Sequence, residues 1–198
     1  LACFGIIINS GLIFLIWITI PENGKIPKLL RTESELTSNY TVTLDNLGTN
    51  TFLNSNTVSS IDDIEAMKLR FTNFIRADMA MIAFYRDSLT NLSKSSYTVS
   101  EANMAAELSV KYRLALSITE LDGQLTMNNL FVLDFLETNF GKWEFGPHLG
   151  KIDFWDTNLL DQFNKLNNPN DQVFLEKERL RKKLNKLNSD VPSTIYSQ

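Results

Sequence analysis

Cysteine and histidine are each nearly absent: one Cys (Cys3) and one His (His148) in 198 residues. A single thiol excludes a disulfide within the chain and any multi-cysteine zinc or redox centre. A single imidazole excludes a carboxylate di-iron bundle, which needs Glu-x-x-His on two helices. His148 lies in Gly146-Pro147-His148-Leu149-Gly150, and no G-x-S-x-G elbow supplies it with a nucleophile. No glycine-rich loop ending in a lysine is present to cradle phosphate. The acidic pair Asp62-Asp63 reads as partners of a helix N-terminus rather than as an acid–base pair. No catalytic residue, metal ligand or cofactor site follows from these motifs, so the expectation is a protein that is not an enzyme. Positive charge is also short. Lys and Arg number 19 against 23 Asp and Glu, for a net charge of −4. A chain of that sign has no long-range attraction for nucleic acid.

Charge is missing altogether from the first 20 residues, LACFGIIINSGLIFLIWITI. About 20 apolar residues in a helix cover roughly 30 Å, the thickness of a bilayer core. Ile6, Ile7, Ile8, Leu12, Ile13, Phe14, Leu15 and Ile16 would face lipid, and Trp17 suits the interface. Pro21 stops the run, and Thr19-Ile20-Pro21 is a poor signal cleavage site. The expectation is an uncleaved single-pass anchor over residues 1–21 that contacts membrane lipid through residues 1–20. Lys25, Lys28 and Arg31 follow it, which by charge bias favours a cytoplasmic domain. Only one flank enters that comparison, so the side stays open, with an extracytoplasmic domain as the working placement.

Residues 22–59 are rich in Ser, Thr and Asn, and Tyr40-Thr41-Val42-Thr43-Leu44 alternates as a short strand does. They read as a polar, partly extended linker. From Ser60 the pattern becomes helical. Ser60 suits an N-cap, and Ile61, Ile64, Phe71, Ile75, Ile82, Tyr85, Leu89 and Leu92 share a stripe. Lys68 and Asp78 fall on that stripe, marking either a shift of the buried face or a place where a partner charge is met. Thr98 and Glu101 have capping-box spacing ahead of a stripe at Ala105, Leu108, Tyr112 and Ala115. Gly123 either breaks this helix or weakens it by roughly 1 kcal/mol. A shorter helix is expected over residues 156–166. After a turn at Asn167-Asn168-Pro169-Asn170-Asp171, a last helix carries Val173, Leu180, Leu184 and Leu187. The expected fold is mainly all-α: a four- to five-helix bundle over residues 60–188, with a polar tail over residues 189–198.

Two segments offer a partner surface. Residues 140–155 hold Phe140, Trp143, Phe145, Phe154 and Trp155 around His148, and aromatic residues are enriched at binding hot spots. The alternative is that they cap the bundle core, which predicts both tryptophans buried. The last helix carries Arg179, Arg181, Lys182, Lys183 and Lys186, a basic face for an acidic partner or simply a solvated one. Together these features lead to a non-catalytic, membrane-anchored accessory or scaffold subunit that binds a protein partner. A membrane-anchored ligand-sensing bundle and an enzyme with an unfamiliar site are the alternatives.

Overall fold

The computed structural model describes residues 24–47, 58–146 and 151–189. They form α1 (Lys25–Leu47), α2 (Ile61–Lys94), α3 (Val99–Thr138), a two-stranded hairpin of β1 (Trp143–Phe145) and β2 (Ile152–Phe154), and α4 (Thr157–Ser189). Each helix packs on the next in the chain.

Why α2 and α3 pack is written in their spacing. Buried positions on α2 include Ile64, Met67, Phe71, Phe74, Asp78, Met81, Tyr85, Ser88 and Leu92, with Ala77 beside Asp78. Those on α3 include Ala105, Leu108, Tyr112, Ala115, Thr119, Asp122, Thr126, Asn129, Leu133 and Leu136. Both series step by three and four without a break, the repeat that keeps one seam facing its neighbour. Both helices begin with a full capping box. Ser60 accepts from the Asp63 N–H at 3.2 Å while the Asp63 carboxylate accepts from the Ser60 N–H at 3.0 Å. Thr98 and Glu101 repeat the arrangement. Asn139 caps the end of α3, its side-chain amide donating to the Phe135 carbonyl at 2.9 Å. Gly141 then turns the chain at φ +80°, a region open to glycine.

Apolar side chains fall into two clusters. One joins α1 to the C-terminal half of α2 and the N-terminal half of α3, around Phe74, Tyr85 and Tyr112. The other joins the remaining halves to the hairpin and the start of α4, around Phe71, Leu133, Trp143 and Phe163.

Several expectations need correction. No helix among the described residues is long and apolar enough to cross a membrane. The longest, α3 and α2, each carry charged residues along their length. Residues 1–20, on which the anchor rested (Ile6, Ile7, Ile8, Leu12, Ile13, Phe14, Leu15, Ile16 and Trp17), lie outside the described residues. The single-pass fold, the lipid contact, the membrane localisation and the membrane-anchored function are therefore withdrawn, and the described fold is an all-α bundle of four helices.

The extended linker is also corrected, because residues 25–47 are helical. Tyr40 and Leu44 satisfy a strand's alternation and a helix's i, i+4 spacing equally. Val42 between them decides the matter: it is 57% exposed while both neighbours are buried. Gly123 does not break α3. Pro169 does not separate two helices either, and α4 runs through it. Proline inside a helix costs roughly 3 kcal/mol relative to alanine. Pro169→Ala is therefore expected to stabilise the fold by no more than that energy, seen as a higher thermal midpoint in a melt followed by circular dichroism.

Candidate functional site

The hairpin that follows α3 divides the aromatic residues between two surroundings. Trp143 is 8% exposed and donates its indole N–H to the Leu136 carbonyl at 2.9 Å. Phe140 and Phe145 meet its ring edge-on, with centroids 5.9 and 5.5 Å away. Phe145 and Phe154 are half-buried, and Phe154 leans on Phe163 and Phe135. These residues cap the core. Trp155 does not: it is 70% exposed, with Phe140 at 40% on the same end of the bundle. Its backbone is nevertheless fixed, since the Trp155 N–H donates to the Lys142 carbonyl at 3.3 Å where the strands pair. Neither reading of the two tryptophans holds for both. The alternation of a two-stranded hairpin points one ring inward and the other out. His148 lies outside the described residues.

The basic residues of α4 form a separate surface. Lys182, Lys183 and Lys186 are exposed, and Arg179 is held by Glu176 at 2.5 and 2.7 Å. From the start of α4 to Lys182 the helix rises roughly 38 Å. The structure therefore does not join the aromatic and basic candidates into one site.

A third constellation lies inside the bundle, one residue from each helix: Tyr40 of α1, Asp78 of α2, Asp122 of α3 and Lys177 of α4. All four are buried, Asp78 to 1% and Lys177 to 3% exposure. The Lys177 ammonium forms an ion pair with Asp122 Oδ1. The Tyr40 hydroxyl donates to Asp122 Oδ2 at 3.4 Å. Asp78 Oδ1 has no hydrogen-bond partner among the described residues. Gly123 explains how Asp78 fits. A Cβ at that position would stand 2.6 Å from Asp78 Oδ2, so the carboxyl occupies the space a side chain would fill. Burial, and then the charge of Asp122, push the Asp78 carboxyl up to about 8, with Lys177 and Tyr40 opposing. Burial likewise raises Asp122, against the pull of Lys177, and lifts the Tyr40 phenol well above its ordinary range.

On α3 this layer continues with Thr119, Thr126 and Asn129, lying between the two apolar clusters. The threonine hydroxyls donate to carbonyls four residues back, at 2.9 and 2.8 Å. Nearby, Glu33 of α1 accepts from the Tyr112 hydroxyl at 2.8 Å, and burial raises its carboxyl. Lys68 does meet partner charges, Asp134 at 2.5 Å and Glu137 at 2.8 Å.

Sequence reasoning found Asp78 on its stripe but missed the other three members of the cluster. Lys177 sits at seam spacing between Val173 and Leu184, and Asp122 continues the Tyr112–Ala115 seam. A charge interrupting an apolar seam was the available signal. No group of three or more His, Cys, Asp or Glu among the described residues is arranged to hold a metal ion. Comparison of the chain with protein-family models, with curated proteins and with solved structures finds no match.

Proposed function

We propose that this chain is a non-catalytic, protein-binding helical domain whose docking residue is Trp155. The exposed indole of Trp155, held on an ordered hairpin backbone, carries this reading. A large aromatic ring costs free energy when left in water. Here its backbone is already fixed, so a partner that covers it orders little that is not ordered already. Phe140 extends the apolar contact, and Trp143, Phe145 and Phe154 support it from beneath. The exposed lysines of α4, Lys182, Lys183 and Lys186, lie too far along the helix to belong to the same contact and would serve a second one.

The test is affinity for the protein that copurifies stoichiometrically from the native source. Trp155→Ala is expected to weaken that complex by about 30-fold, the size of a hot-spot loss. Stability should change by less than about 0.5 kcal/mol, because the side chain is exposed. Unchanged affinity would remove Trp155 from the interface, and the absence of any stoichiometric partner would remove the proposal.

A further inference from the structure

Two carboxyls and one ammonium are drawn from three helices into the buried layer, so their charges cannot all balance. Lys177 forms its ion pair with Asp122, which leaves Asp78 with the more distant field of that ammonium but no ion pair of its own. The hydroxyl of Tyr40 also faces Asp78, yet it has one proton to give, and that proton goes to Asp122 Oδ2. Tyr40 favours the charged form of Asp78, but with its one proton already directed at Asp122 it offsets only part of the cost of burying that charge. Oδ1 has no partner among the described residues, and Oδ2 is pressed against the bare Cα of Gly123. A neutral acid tolerates these surroundings, whereas a carboxylate, a buried charge without a pair, does not.

We propose that Asp78, Asp122, Lys177 and Tyr40 form a proton-operated clasp joining all four helices, closed while Asp78 is a neutral acid and loosened when it ionises. Among the groups acting on Asp78, Asp122 favours the neutral acid together with burial, while Lys177 and Tyr40 favour the charged form without outweighing them. From α1 comes Tyr40, with Glu33 two turns earlier against Tyr112. From α3 comes Asp122. From α4 come Lys177 and Arg181, and both cations act on Asp122. Tyr85, on α2 itself, is a phenol whose own ionisation burial also opposes. The position of Asp78 on the α2 seam makes the consequence a mechanical one. Its carboxylate would be repelled by Asp122 and would seek water, and reaching water requires α1 or α4 to move away from the α2–α3 pair.

The sign of the pH effect follows. An unfolded Asp titrates at about 3.9, and folded Asp78 at about 8. The folded state therefore holds a proton that the unfolded state has released between those values. This contribution to stability is complete below about 4, is lost as pH rises through the window, and is gone above about 8.

The experiment is equilibrium unfolding of the full chain between pH 6 and 8, beside Asp78→Asn, which keeps the shape of the neutral acid. For the wild type the unfolding equilibrium constant is expected to rise by close to tenfold from pH 6 to 7, as one linked proton requires, and by about half as much from pH 7 to 8 as the folded group itself titrates. In Asp78→Asn that rise should be absent. Carbon-13 carboxyl NMR of aspartate-labelled wild-type protein needs no variant. One aspartate should titrate in the alkaline range, and amide exchange around Tyr40 and Lys177 should accelerate beyond the intrinsic base-catalysed increase. A slope that persists in Asp78→Asn, or aspartates that all titrate in the acidic range, would overturn the clasp.

Discussion

Replacing Lys177 with Met is expected to cost about 3–5 kcal/mol, because it leaves Asp122 charged, buried and without its cation. The methionine has nearly the length of the lysine stem, so lost packing contributes little and the loss reports the charge. Denaturant unfolding at pH 7 would measure it as a lower midpoint with an unchanged slope. Replacing both partners, Lys177→Met with Asp122→Leu, should recover most of the loss, since a buried pair exchanged for apolar groups is often neutral or better. A single substitution costing under 1 kcal/mol would show that the pair is hydrated and that the layer is more open than its exposures of 3% and 5% imply.

Trp143→Ala is expected to be as damaging, about 3–5 kcal/mol, by a different route. The indole fills the end of the second cluster and meets Phe140 and Phe145. It also satisfies the Leu136 carbonyl near the end of α3, which would be left without that donor. A thermal melt compared with that of Trp155→Ala separates the roles of the two tryptophans. The first should fall by many degrees and the second should scarcely move. Equal effects would mean that Trp155 is covered in solution by something other than a partner.

The helices were legible where local chemistry and spacing agreed. Ser60 and Thr98 are caps in both the sequence and the structure, each with its acidic residue three positions on. The fold was misread where one pattern served two structures. Tyr40 and Leu44 sit at positions that a strand and a helix both bury, and only the exposure of Val42 tells them apart. Pro169 resembles a helix start, since nothing local reveals that the residues before it continue the same seam. The outward-facing half of the candidate site was half legible: an aromatic-rich segment could be located, but which tryptophan turned inward depended on strand register. The interior cluster was the least legible. Its members stand 38, 44 and 55 positions apart in sequence, and only the packing of four helices brings them within reach of one another.

Helices with an unbroken three-four repeat have a particular hazard, because one can slide seven residues along its neighbour and refill every hole. Between α3 and α4 the aromatic contact of Phe135 with Phe163 fixes one end of the pair. Further along, the ion pair between Asp122 and Lys177 forbids the slip a second time. Shifted by seven, the ammonium would lie beside Ala115 or Asn129, and Asp122 would face Asn170 or Leu184. One antiparallel alignment therefore stands apart from its shifted neighbours, and the buried charges add an address that tells α4 where along α3 to stop.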